Sequence, residues 1–344
     1  MDTKQFITTK TGNYSSKKFN ALIDIRSGTL AVIRNFLEAE DFTEVLTAVL
    51  VNIAGSCENP YASFKLPFYG KEAHLSQSAQ LQLEKIVVSL KRKVFTVNNS
   101  FREESFDDPE AEGRRLSEFT LIEPEMPFDN NEDNEANLNT LVRLVEKIIK
   151  EALRFNLSNN EKSLLELGGN VEHLHNCLEN EFRVIAYADA IEILNRINDN
   201  KYKGDISLSV REEKLLLSHF NNIPIFILNF PFTQKLFNIK RRPESDFTFT
   251  FDLLAPRLGE VVGGGLREED PALVLSQLEN SKVGKFLKEN KENPKEVFDE
   301  YFNALNQQEQ VLRGGFGIGF ERLIGFLINS NDILHTISYR SFSP

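Results

Sequence analysis

The stretch FREESFDDPEAEGRRLSEFTLIEPE, residues 101 to 125, constrains the fold more than any other part of the chain. Apolar, β-prone residues lead into it (Val94-Phe95-Thr96-Val97) and recur near its end (Phe119 to Ile122). Between them lie acids, a glycine and the cations Arg102, Arg114 and Arg115. This pattern predicts two antiparallel strands joined by a long loop that carries arginines. Forked guanidinium groups hold phosphates and an aromatic face stacks on a base, so arginines on such a hairpin beside Phe119 suit a nucleotide.

The second half supplies what such a site needs. Asp252 and Glu260 flank the segment LLAPRLG, and VVGGGLRE places three glycines and Arg267 directly after Glu260. Near the end, GGFGIGFERL (314 to 323) alternates glycine with apolar residues before Glu321-Arg322 opens a helix. Magnesium on a triphosphate takes only one or two carboxylates, and glycine lets a backbone approach a ligand closely.

These pieces resemble the class II aminoacyl-tRNA synthetases. FREES…RRLSEF resembles their motif 2 and GIGFERL their motif 3. With FYGKEAHLSQSAQLQLE and FDLLAPRLGEVVGGGLREED, they fall in the order and at the spacing of asparaginyl-tRNA synthetases, from about Asn20 to Ile333. The helical spacing of Leu22, Ile25, Leu30, Ile33 and Leu37, followed by the strand-like FTEVLTAVL, resembles motif 1, the dimer-forming element, although Ala48 stands where the family has proline. The fold implied is α/β (α+β): an antiparallel sheet of about six strands flanked by helices, in a homodimer. Residues 1–18 read as a polar lead-in and 19–344 as one catalytic domain, with a mostly helical, polar insertion at about 158–222.

The resemblance also implies roles. ATP and Mg²⁺ would be the cofactors. Arg102 would contact the α-phosphate and the carboxylate being activated, Glu104 the adenine amino group, and Arg114 or Arg115 the γ-phosphate. Phe119 and Arg322 would sandwich the adenine, and Asp252 and Glu260 would hold magnesium. Arg102 and Arg322 are the catalytic pair. Glu58, Ser78 and Gln80 fall at the amino-acid positions. Glu84, four residues after Gln80, stands where asparaginyl enzymes have glutamate, and Leu83 stands where aspartyl enzymes have lysine. A glutamate accepts from an amide or an ammonium and repels a carboxylate, while Arg267 would donate to the side-chain oxygen. The plainer alternatives are a surface ion pair of Arg102 with Glu103 or Glu104, core packing for Phe119, solvated strand-end acids at 252 and 260, and a helix-surface Glu84 paired with Lys85.

Composition narrows the rest. No apolar run among the 344 residues approaches the ~18 needed to span a membrane, and no apolar signal core opens the chain, so a cytoplasmic protein is expected. Two cysteines, Cys57 and Cys177, are too few for a disulfide framework. A net charge of −11 argues against broad nucleic-acid binding without excluding a local basic groove. Asparaginyl enzymes carry an anticodon-reading β-barrel of roughly a hundred residues ahead of motif 1, and about twenty residues precede motif 1 here. After motif 3 the family's Arg-Asp pair and prolines are replaced by ILHTISYRSFSP, and Phe237-Asn238-Ile239 stands for its FYM. The expectation is therefore an ATP-dependent, asparagine- or aspartate-activating ligase whose acceptor is ammonia or an amine, as in a stand-alone asparagine synthetase. Aspartate would fit with its β-carboxylate at the phosphate. The alternatives are tRNA aminoacylation, with tRNA possible but not favoured, and a non-catalytic sensor or partner-binding paralogue. Retention of Arg102, Glu260 and Arg322 counts against the last.

Overall fold

The computed structural model describes residues 16–53, 58–104, 113–129, 133–198, 202, 205–306 and 309–338. Its strands are β1 (Thr43–Glu44), β2 (Leu50–Val51), β3 (Lys65–Phe68), β4 (Lys71–Leu75), β5 (Val94–Phe101), β6 (Glu118–Pro127), β7 (Arg183–Ala186), β8 (Ile225–Leu228), β9 (Thr250–Ala255), β10 (Gly259–Arg267) and β11 (Arg313–Gly319). Eight of them form one sheet in the order β1-β5-β6-β11-β10-β9-β8-β7. The six inner strands pair antiparallel, and β1 and β7 join the two edges in parallel. A three-stranded sheet, β2-β4-β3, stands beside it.

Side chains alternate across a strand, so the sheet has two chemically distinct faces. Phe95, Ile122, Phe316, Leu266 and Phe251 belong to the main hydrophobic core. That face is covered by the helices Lys17–Ala39 and Asn134–Asn159. The first buries Leu22, Ile25, Ile33 and Leu37 at helical spacing, and Ser16 caps it by accepting from the Phe19 amide at 3.1 Å. Asp133 caps the second by accepting from Ala136. The opposite face carries Phe119, Glu123 and Glu125 on β6, Gly315 and Gly317 on β11, Gly263 and Arg267 on β10, and Asp252 on β9. These are the same-face partners in the register Glu125↔Gly315, Gly317↔Gly263 and Gly263↔Asp252.

Three local expectations change. FTEVLTAVL is not one strand. It lends Thr43–Glu44 to the large sheet, where Val45 also donates to the Phe95 carbonyl, and it ends in the small sheet, where Leu50 and the following Val51 pair with β4. The insertion contains a strand, Arg183–Ala186, whose first two residues are exposed and so give no buried-strand signal. Lys17 and Lys18, read as lead-in, begin the first helix; residues 1–15 lie outside the described residues. Cys177 is a buried free thiol that burial pushes up to about 12, and Cys57 lies outside the described residues. Among the described residues no helix is long and apolar enough to cross a membrane.

Candidate active site

The polar face of the sheet is the floor of a cleft of about 1100 Å³. Glycine makes the floor. A Cβ on Gly315 would fall 2.1 Å from Glu125 Oε2 and 2.3 Å from the Pro124 carbonyl, so only glycine fits there. On Gly317 a Cβ would meet nothing nearer than 3.9 Å, which leaves that spot open to a ligand.

At one end the structure gathers the residues expected at a nucleotide. Arg102 leaves the end of β5, donates to Glu58 and lies over the Phe119 ring, 5.0 Å from its centroid. It pairs with neither Glu103 nor Glu104, and Phe119 is a wall of the cleft, not a core residue. Arg322, from the helix Phe320–Leu327, donates to the Glu260 carbonyl at 2.5 Å and sits 3.8 Å from that residue's carboxylate. Arg115 pairs with Glu104 at 3.3 Å. Arg114 donates to Leu258 O at 2.9 Å and to Glu213 at 2.5 Å. Glu213 rides on the helix Val210–His219, so the insertion contributes directly to the site. Burial raises the Glu213 carboxyl above its usual range, against the pull of Arg114. Gly259, at φ +78°, passes beneath this pair, where a Cβ would strike both side chains.

Asp252, expected to hold magnesium, already has a cation. Both of its oxygens accept from Lys235 Nζ, at 2.7 and 2.8 Å. Burial raises the Asp252 carboxyl to about 7 against the pull of Lys235, and Glu260 adds to the rise. A Cβ built on Gly263 would lie 3.3 Å from Asp252 Oδ1 and 2.8 Å from Glu260 Oε1, so the two carboxylates lean over the same glycine. Oxygen donors of this kind suit magnesium. No group of three potential metal ligands occurs among the described residues.

The other end contains the largest departure from expectation. Glu84 does not open on the cleft. It is fully buried, and its carboxylate is occupied: Oε1 accepts from Asn238 Nδ2 (2.5 Å) and Gln80 Nε2 (3.1 Å), and Oε2 from Tyr301 (2.8 Å) and both Nε and a terminal nitrogen of Arg313 (2.9 and 2.7 Å). Lys85 turns away to Glu300, so the helix-surface alternative is excluded as well. Saturated in this way, Glu84 has no lone pair left for a substrate. Glu125 lines the cleft in its place. Its two oxygens accept from Arg267 Nε and a terminal nitrogen at 3.1 and 2.9 Å, a fork-to-fork pair.

The two buried glutamates titrate in opposite directions for a clear reason. Burial alone would raise Glu84, but Arg313 and Arg267 together bring it below the usual range. Glu125 is driven up to about 7, because burial and the negative Glu84 outweigh the pull of Arg267 and Arg313. Ser78 and Gln80 line the cleft as expected positions, yet each is tied to a glutamate: Ser78 donates to Glu123 at 2.6 Å and Gln80 to Glu84. Glu123 also accepts from the Ala79 amide (2.9 Å) and Asn98 (3.0 Å), which fastens the start of the helix Gln80–Leu90 to β6. Glu58, expected at the α-amine, faces Arg102.

Sequence reasoning missed Glu123, Glu125, Arg313, Lys235 and Glu213. The first three have a period-two signal: 119, 121, 123 and 125 share one face of β6, and Arg313 continues the Gly315, Gly317 row. Lys235 and Glu213 have no such signal, since both arrive from outside the sheet.

A sheet floored with glycine, an arginine–phenylalanine–arginine cleft and flanking carboxylates define a nucleotide-using ligase core. The family described as tRNA synthetases class II (D, K and N) matches residues 7–342, and the chain belongs to it. Members are ATP-dependent ligases that form an aminoacyl-adenylate and release AMP and pyrophosphate. Within the family the similarity is to asparagine enzymes. The chain is 31% identical over 342 residues to the asparagine–tRNA ligase of Malacoplasma penetrans, covering 94% of this chain and 70% of that protein. It is 29% identical over 342 residues to human asparaginyl-tRNA synthetase, covering 94% and 67%. The structure of Pyrococcus horikoshii asparaginyl-tRNA synthetase complexed with asparaginyl-adenylate superposes with a TM-score of 0.81 at 27% identity, over 94% of this chain and 69% of that one.

Proposed function

We propose that this protein activates asparagine with MgATP as asparaginyl-adenylate and transfers it to tRNA. One observation carries the choice of amino acid: Arg267 and Glu125 present a donor and an acceptor side by side on the cleft wall, opposite the Arg102–Phe119–Arg322 end. A primary amide needs both. Arg102 supplies positive charge where the phosphorus becomes pentavalent and Arg322 holds the nucleotide, so the catalysis is positioning and electrostatic stabilisation. Asp252 and Glu260 would hold magnesium, which supplies charge neutralisation on the phosphates when bound. Glu58, once Arg102 turns to phosphate, is free to accept from the α-ammonium.

The acceptor proposed is tRNA, because the relatives above are named as asparaginyl–tRNA enzymes. The expected ammonia or amine acceptor finds no support in them, and the reversed aspartate pose loses the Glu84 partner it relied on. A homodimer is supported by exposed apolar side chains on the motif 1 segment and the small sheet: Leu46 and Tyr69 are each 94% exposed, and Leu50 and Phe68 more than 40%. Patches of this kind mark interfaces.

Pyrophosphate exchange with each of the twenty amino acids tests the reading, followed by transfer assays with tRNA and with ammonium. Exchange should be strongest with asparagine, and label should move to tRNA. Exchange driven by aspartate, with free asparagine as the product when ammonium is added, would overturn it.

A further inference from the structure

The cation at Asp252 carries an inference of its own. Lys235 follows a short turn, Phe232–Gln234, and reaches across the cleft wall. Its ammonium binds both Asp252 oxygens and rests 3.9 Å from the centroid of Phe230. The pair is largely shielded, with side-chain exposures of 17% and 12%. Glu260 leans over the same glycine as Asp252 and has Arg322 as its own cation. The two acids that should take the metal are thus already balanced by two cations.

We propose that Lys235 is the resident counter-cation of the Asp252–Glu260 site, so that the site rejects a free divalent ion and accepts one only as its complex with a nucleoside triphosphate. The inference rests on the nucleotide reading above. A free divalent cation would have to expel the ammonium from both Asp252 oxygens, breaking a largely shielded pair. Against a neutralised pair it also gains little attraction. A metal–triphosphate complex brings its own anion. Lys235 would then pair with phosphate oxygen, and the Asp252 and Glu260 carboxylates would hold the metal. Charge is exchanged pair for pair, and no buried group is left uncompensated. Lys235 therefore sets the order of loading, with metal and nucleotide entering together.

The test is a Mn²⁺ titration by electron paramagnetic resonance at pH 8, without nucleotide. Lys235→Met should gain one Mn²⁺ site at least ~10-fold tighter than any in the parent, the scale of removing one nearby like charge. Lys235→Arg should keep the weak parental behaviour. Adding Asp252→Asn to Lys235→Met should abolish the gained site, which places it at that carboxylate. A parent protein that binds one Mn²⁺ as tightly as Lys235→Met sinks the proposal, as does a gained site that survives Asp252→Asn. If Lys235→Met does not fold, Lys235→Gln serves in its place, keeping a donor for Asp252 without the charge. ATP binding is measured separately by calorimetry in EDTA and in Mg²⁺. Failure there removes the nucleotide reading and leaves the nucleotide-free metal titration as it stands.

Discussion

The two ends of the cleft use the same charged side chains in opposite ways. At the Arg102 end each cation has an acid beside it: Arg102 has Glu58, Arg114 has Glu213, Arg115 has Glu104, Lys235 has Asp252 and Arg322 has Glu260. Arg102, Arg115 and Glu260 are partly exposed, while the Arg114–Glu213 and Lys235–Asp252 pairs are more shielded. At the Arg267 end Glu84, Glu125, Arg267 and Arg313 are fully or nearly fully buried and share partners with Tyr301, Asn238 and Gln80. A half-exposed pair contributes ~0–1 kcal/mol, so a ligand of higher charge can exchange it. A buried, cross-linked set cannot be opened without stranding a charge, so it acts as a frame. One end trades partners and the other holds shape.

The sharpest way to break this contrast is Arg313→Met. It leaves Glu84 buried with its main cation gone and should destabilise the fold by ~3–5 kcal/mol in urea denaturation, the range for unpairing one member of a buried ion pair. Loss of less than ~1 kcal/mol would mean that the network is no frame. At the exchanging end the signature should invert. Arg102→Ala should slow asparagine-dependent pyrophosphate exchange ~100-fold or more, because the charge it supplies matters most in the transition state. Its unfolding free energy should change by no more than ~1 kcal/mol, as for a partly exposed pair. A rate near that of the parent would remove Arg102 from the reaction.

A smaller effect sharpens the comparison through pH. Glu125 titrates at about 7 in the fold against an ordinary value of 4.5, and Asp252 at about 7 against 3.8. Both are raised, so the folded chain binds the extra protons. The stability they contribute is full below pH ~4 and is lost as pH rises through 7. Each adds a downward slope of at most ~1.4 kcal/mol per pH unit between those limits. Glu125→Gln should remove its share, and an unchanged slope in denaturation from pH 5 to 7 would show that Glu125 is ionised throughout.

What was legible in the sequence follows the same division. The β5–β6 pair could be read from β-prone segments and the rest of the sheet from the family resemblance, and Arg102, Phe119, Glu260 and Arg322 from motifs that keep chemistry and local backbone together within a few residues. The frame could not be read. Glu84 stands where a substrate contact is expected, but Arg313 lies 229 residues away in sequence and Tyr301 217, and no local pattern tells which acid each will meet. Glu213 was hidden differently. Its helix reads as a polar insertion, and only the tertiary fold brings one of its acids against Arg114. The FTEVLTAVL segment was misjudged because strand propensity says nothing about how many sheets a segment serves.

Gly317 has a consequence for anyone wishing to retune this protein. Its neighbour Gly315 is closed to any side chain by the protein itself, whereas a methyl group at 317 would touch no atom of the chain nearer than 3.9 Å. The volume there belongs to the guest and not to the host. An alanine at 317 is therefore a bump felt only by whatever enters the cleft, and a guest trimmed at the matching atom would restore the fit. The chain thus offers a handle for an orthogonal enzyme–ligand pair, at a position where changing the guest list leaves the building unaltered.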